Sequence, residues 1–499
     1  MKTELFNSRN LFFPFKELVL LFILLITINK GKAQTSDSIP DAAPETYRLT
    51  LDFPLADFPY INDAAQSEAN RRLNPLPGNN APVQTTDYAK AYFSRYNNLS
   101  MRQLTAMAEN LHGTNYYINN LLWNKWVKPT NKRRRVLNRV LANITAGVPD
   151  FLMSYYLPFG NGYAHEEFHR NVLTVNNIPS YDEFWSFNNG QQITHVRDED
   201  LVYFKEKQPA DFVRLHTAVI EGQYAFLRNM QKQNFFYDTK YPNVAINVLL
   251  TKYIIDYVNQ TDASDYNSTM RKVFSGEPTI EERDINGDDF LTYTYELFRP
   301  NQPYTARGIA PNGVGIARYL TTDQLTTEEF DYLKKMGRLQ YLNFLSPHLI
   351  GINQIRISEN FKFNFAVRHL LTSFGYEIGG DVFLKLKEKN ILLGFHGYRN
   401  KNNFFPGIEG SLINHPVAIG TKKLRTNTTV MLWTQPENQG FFTSKAQPGG
   451  LLAMQLRYPV SKSFQPYLEV EGKTKGWVAN NPYLKSSISA RAGFSIMIK

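Results

Sequence analysis

Near Ser346 the spacing of apolar residues changes from three and four to two, and no other feature limits the possible folds as much. In a strand successive side chains point to opposite faces, and in a helix positions three and four apart share one. After the change, Phe361, Phe363, Phe365 and Val367 alternate with Lys362, Asn364, Ala366 and Arg368. Val382, Leu384 and Leu386 alternate with Phe383, Lys385 and Lys387, and Leu452, Met454, Leu456 and Tyr458 with Ala453, Gln455 and Arg457. Leu468 and Val470 are interleaved with Glu469, Glu471 and Lys473. Ile488, Ala490, Ala492, Phe494, Ile496 and Ile498 form one row, with Ser489, Arg491, Gly493 and Ser495 opposite. Asn, Gly and Pro clusters divide residues 346–499 into eight or nine such runs.

Before the change the pattern is helical. Arg102 to His112, Tyr116 to Val127, Val136 to Ile144, Phe212 to Met230 and Val244 to Val258 carry apolar residues at helical spacing. Thr326 is a candidate N-cap, with Glu329 at the third helical position. Residues 88–345 are therefore expected to be a mostly helical domain. Residues 34–87 are rich in Pro, Ala, Asn and Asp, and Leu73-Asn-Pro-Leu-Pro-Gly78 ends any nascent helix; this stretch is expected to be an extended arm or linker.

Residues 1–33 read as a cleavable secretory signal. Lys2, Arg9 and Lys16 precede an apolar run from Leu18 to Ile28, and Gly31-Lys32-Ala33 offers small residues for cleavage. That run is too short for a permanent span, which needs about 20 residues. The chain has no cysteine, which excludes disulfides, thiolate ligands and a cysteine nucleophile, and leans towards a bacterial envelope protein. Its formal charge of +10, part of it in the signal, suits an anionic membrane surface, and export argues against nucleic acid.

Two folds use strands of this kind. A soluble sandwich buries the apolar face against a second sheet, whereas an outer-membrane barrel turns it to lipid and a polar face to the lumen. Full charges of both signs on the second face favour the barrel. A strand running to the end of the chain resembles bacterial outer-membrane proteins, although those usually finish on an aromatic residue and this chain finishes Ile498-Lys499. The expected architecture is α+β and multidomain: a helical domain followed by an antiparallel β-barrel of about eight strands, with outer-membrane lipid as a partner.

His165-Glu166-Glu167-Phe168-His169 is a HExxH motif between the breakers Pro158-Phe-Gly-Asn-Gly162 and Asn176-Asn-Ile-Pro179. On a helix the two imidazoles share one face and can reach a single ion, and Glu166 can act as general base on a water. Zn²⁺ accepts such ligands, and a catalytic site has three from the protein and one open position. The motif resembles that of the zincin metallopeptidases. Within them it is similar to the gluzincin pattern, in which a downstream helix supplies a glutamate as third ligand. That resemblance implies His165, His169 and Glu221 as metal ligands, Glu166 as the catalytic base and a peptide or protein as substrate. Glu221 is the best match because Leu215 to Tyr224 reads as a helix with small residues, Ala218 and Gly222, for close packing. His216, His195 and Asp182 are alternatives. The metzincin arrangement does not fit, since no third histidine follows closely.

The expected function is zinc-dependent hydrolysis, tethered to the outer membrane, with the helical domain in the periplasm or at the cell surface. The alternatives are a non-enzymatic barrel protein whose helical domain binds or assembles, and a soluble secreted hydrolase with a β-sandwich. Asp284-Ile-Asn-Gly-Asp-Asp289 reads as a turn with capping aspartates, because its glycine is misplaced for an EF-hand. Lys132-Arg-Arg-Arg135 reads as a solvated helix entrance.

Overall fold

The computed structural model describes residues 49–73, 98–128, 130–157, 159–182, 192–237, 243–274, 279–280, 283–419 and 422–498. The signal-peptide reading lies outside these residues.

The helical region forms as the spacing predicts. After α1 (Tyr60–Leu73) come α2 (Met101–Trp126), α3 (Lys132–Tyr156), α4 (Asn161–Val175), α5 (Asp198–Lys207), α6 (Pro209–Phe236), α7 (Val244–Val258), α8 (Tyr266–Phe274), α9 (Asp289–Phe298) and α10 (Thr327–Leu339). Local signals fix several starts. Ser100 and Gln103 form a capping box on α2, and Thr326 and Glu329 form the expected one on α10. Asn131 caps α3, and Lys132 to Arg135 are exposed on its first turn. Proline opens α6, where its missing N–H costs nothing.

The period-two region forms one antiparallel meander of β4 (Ile355–Ser358), β5 (Phe361–Thr372), β6 (Gly375–Leu386), β7 (Lys389–Arg399), β8 (Phe404–Ile419), β9 (Lys422–Pro436), β10 (Ala446–Arg457), β11 (Phe464–Lys473) and β12 (Ser487–Ile498). The stretch expected to be an extended arm supplies a further strand, β1 (Leu49–Phe58), as well as α1. β1 pairs antiparallel with β12, from Leu49 opposite Ile498 to Phe58 opposite Ala490. The result is a sheet of ten strands in the order β1-β12-β11-β10-β9-β8-β7-β6-β5-β4. A separate short hairpin pairs β2 (Tyr181–Asp182) with β3 (Ile193–Thr194).

The expected eight-stranded barrel is therefore corrected: the sheet has ten strands and is not closed. The physical reason lies at its two edges, where side chains and loop backbone do what a closing strand would do. Along β1, Asn110 of α2 accepts from the Asp52 N–H at 2.8 Å and donates to the Asp52 carbonyl at 2.7 Å. Gln103 donates to the Pro54 carbonyl at 3.0 Å. Beyond the short β4, the Val367 N–H of β5 donates to the Leu345 carbonyl at 3.0 Å, and the His369 N–H to Asn343 Oδ1 at 2.8 Å. Edge groups so satisfied have no need of a partner strand.

The polarity of the sheet is opposite to that of a sandwich. Its charged face is turned inward against the helices and its apolar face outward. Arg228 of α6 donates to both Asp381 carboxylate oxygens, at 2.9 and 2.8 Å, and to Glu409 at 2.8 Å. Phe235 and Phe236, at the end of the same helix, pack on Phe383. One buried cluster joins Val219, Tyr224 and Phe226 of α6 to Leu370 and Leu371 of β5, Met431 and Trp433 of β9 and Leu451 of β10. Helices and sheet thus share a core, with α6 running from the HExxH helix to the inner face of the sheet.

Candidate metal centre

α4 carries the motif and is buried on all sides, from Tyr163 to Thr174. It lies against α6, and the contact depends on a glycine: a Cβ at Gly222 would stand 2.5 Å from the ring of Phe168. Ala218 is buried in the same cluster as Phe168. The small residues thus lie where the close packing of the two helices needs them.

His165 and His169 sit one turn apart and are joined by a carboxylate. His169 Nε2 is 3.2 Å from Asp289 Oδ1, and His165 Nε2 is 3.6 Å from Asp289 Oδ2. One ligand atom from each of the three residues lies within 4.8 Å of the others. In tetrahedral coordination with bonds of about 2.0–2.1 Å, donor atoms stand roughly 3.3–3.4 Å apart. Each histidine stands near that distance from a different oxygen of Asp289, so the three residues could hold a small divalent cation such as Zn²⁺ between them.

The neighbours of these groups support the fit. His169 Nδ1 is 2.6 Å from the Leu215 carbonyl of α6. A carbonyl can only accept, so Nδ1 carries the hydrogen, and in the neutral ring the Nε2 lone pair faces Asp289. His165 Nδ1 is 3.5 Å from the Gln223 amide. Gln223 Oε1, placed without a partner among the described residues, would accept from Nδ1–H if the amide were turned over, and so select the same tautomer. Asp289 Oδ2 accepts from the Tyr257 hydroxyl at 2.5 Å, and Oδ1 from the Asn286 amide. Such outer contacts fix the direction of metal ligands. Burial pushes the His165 imidazole down, towards the neutral form, with partial opposition from Asp289. Burial alone would raise the Asp289 carboxyl, but His169 and His165 hold it well below the usual carboxylate range. Glu166 is also buried, and burial together with Asp284, Asp182 and Asp289 pushes its carboxyl well above the usual range. A bound cation would oppose that shift.

Glu221, the third ligand that the family resemblance implied, is not among these residues. Its Oε1 accepts from Arg214 at 2.7 Å and from the Asn480 N–H at 2.8 Å. Oε2 accepts from Arg214 Nε at 3.2 Å and from the Trp477 indole at 3.1 Å. The cause is helical phase. Gly222 faces Phe168 and Gln223 faces His165, so Glu221, about 100° earlier, is turned towards the Trp477–Asn480 segment between β11 and β12. Both oxygens are committed there, and the residue is a buried brace.

The alternatives do not join the cluster either. His216 is buried on α6, edge-on to Phe212 at 5.4 Å. His195 Nδ1 contacts the Thr194 hydroxyl at 2.9 Å, with its ring on Tyr181. Asp182 lies in the carboxylate group around Glu166 and Glu167. The member of the cluster that sequence reasoning missed is Asp289. Its neighbour Asp288 performs the expected capping, accepting from the Phe290 and Leu291 N–H groups of α9 at 2.9 and 2.8 Å. Two adjacent aspartates at a helix start were the available signal, but only the packing of α9 separates cap from ligand. Compared with protein-family models, with curated proteins and with solved structures, the chain matches none.

Proposed function

We propose that the protein is a zinc-dependent hydrolase, with peptide bonds as its substrate class. The observation that carries this reading is the convergence of His165, His169 and Asp289, from two helices 120 residues apart in sequence, on one buried donor cluster. These three residues would hold the ion. When bound, Zn²⁺ supplies Lewis-acid polarisation of a carbonyl and lowers the pKa of a water. Glu166, adjacent to the first histidine, would accept a proton from the attacking water at its carboxylate and pass it to the leaving amine. Leu215 and Gln223 hold the imidazoles, and Tyr257 and Asn286 hold Asp289.

Burial of His165, Glu166, His169 and Asp289, each below 10 % exposure, favours a second reading in which the ion braces helices without turnover. One set of purified proteins separates the two. Wild type should contain one zinc and cleave a peptide library. Glu166→Gln should keep the zinc and lose cleavage, and Asp289→Ala should lose both. Zinc without cleavage in wild type would leave the brace. Zinc-free wild type, or His165→Ala with undiminished metal, would end both.

A further inference from the structure

Among the described residues, the middle of the sheet face turned away from the helices carries no charged side chain from strand to strand. Paired positions form continuous apolar lanes: Phe395 lies opposite Ile408 and Ile408 opposite Leu432, and Val430 lies opposite Leu452. Met454 lies opposite Val470, and Phe53 of β1 stacks on Phe494 at 5.0 Å. These residues are exposed in quantity, with Leu432 at 59 %, Leu468 at 66 % and Ile488 at 76 %. The inner face carries the ionic groups, Arg368, Glu377, Asp381, Glu409, Glu471 and Arg491, all buried. A contiguous apolar face that runs from β7 through β12 to β1 is of a kind that soluble monomers rarely expose.

Its height identifies the partner. On β7 the outward row is Ile391, Leu393, Phe395 and Gly397, and it is bounded by exposed Lys389 and Arg399. At about 3.3 Å per residue, the ten steps from Lys389 to Arg399 span roughly 33 Å along the strand, and a tilted strand of that length crosses an apolar band of about 25 Å. A protein interface would have a polar rim and hydrogen-bonding groups among its apolar ones. This face instead sets glycine and proline between large apolar side chains, and its threonine hydroxyls bond within the sheet, Thr426 with Thr428 and Thr434 to the Pro406 carbonyl. Open sheet edges are excluded from lipid unless protein covers them; here α2 covers β1, and residues 343–345 cover β5 where it runs beyond the four-residue β4. No helix among the described residues is long and apolar enough to span.

We infer that this outer face contacts the acyl chains of a lipid bilayer, as an open sheet sealed by helix and loop at its edges. The inference is independent of the metal centre. The absence of cysteine allows single cysteines to be placed at Leu432, Leu468 and Lys401 of the full chain and labelled with nitroxide. The protein is then incorporated into phosphatidylethanolamine–phosphatidylglycerol vesicles. At 432 and 468, collisions with oxygen should exceed those with a water-soluble nickel chelate several-fold, and at 401 the order should reverse. Leu432 and Leu468 are both exposed, so neither label on the apolar face disturbs the core. Chelate access at 432 and 468 comparable to that at 401 would overturn the inference. So would failure to float with vesicles, or spin–spin broadening that reveals a second copy on this face.

Discussion

Replacing Glu221 by Gln separates a metal ligand from a structural brace. Glu221 and Arg214 are both fully buried, and four hydrogen bonds converge on the carboxylate. A Gln oxygen in place of Oε1 keeps the bonds from Arg214 Nη2 and Asn480. The amide nitrogen in place of Oε2 then opposes two donors, Arg214 Nε and Trp477 Nε1. Losing two bonds to a charged acceptor, at about 1.5–3 kcal/mol each, agrees with the ~3–5 kcal/mol expected when one partner of a buried ion pair is neutralised. With an unfolding entropy of about 2.1 cal/mol/K per residue, that is roughly 3–5 °C for a cooperative unit of this size. The assay is thermal unfolding in detergent, followed by tryptophan fluorescence, with zinc content measured on the same sample. Zinc should be unchanged while the midpoint falls. Adding Arg214→Met should recover part of the loss, because it removes the stranded cation. Zinc lost from Glu221→Gln at an unchanged midpoint would refute this reasoning and restore the glutamate to the metal.

Tyr257→Phe removes the hydroxyl bonded to Asp289 and should weaken zinc binding about 10–100-fold, measured by competition with a chromogenic chelator. Gly222→Ala drives a methyl into the Phe168 ring and should destabilise by about 1–3 kcal/mol in denaturant unfolding; Phe168→Leu in the same chain should relieve part of it. His348 is buried, and burial lowers its imidazole to about 4, with Asn353 opposing. Between pH 6.5 and about 4 the unfolded chain takes up a proton that the folded chain refuses. Stability should therefore be full above pH 6.5 and fall with acid by up to about 1.4 kcal/mol per pH unit from this residue, a slope that His348→Gln should flatten.

Much of the fold is legible because its signals are local. Phe361, Phe363 and Phe365 alternate with polar residues in the sequence and in β5, and Thr326 and Glu329 box the start of α10 as their spacing implies. HExxH places two imidazoles on one face through helical geometry alone. The rest depends on distant contacts. Leu49 to Phe58 contains Pro54 and two aspartates and reads as coil, and only pairing with β12 makes it a strand. Closure of the sheet was decided by Asn110 and by Asn343 to Leu345, whose neighbours in sequence give no hint of a strand edge. The helix that carries Glu221 is recognisable in the sequence, but the direction of its side chain follows from Gly222 against Phe168. Asp289 could not be told from Asp288 without the packing of α9 onto α4.

The pairing of β1 with β12 has a consequence for assembly. The two strands meet across more than 400 residues of chain, so this seam cannot nucleate early and must await nearly everything between them. Until β1 arrives, β12 presents a row of bare amides and carbonyls beside greasy side chains such as Phe494 and Ile496, the kind of edge onto which a stray strand polymerises. A nascent molecule therefore passes through a period in which a chaperone is best placed to shield that one ribbon.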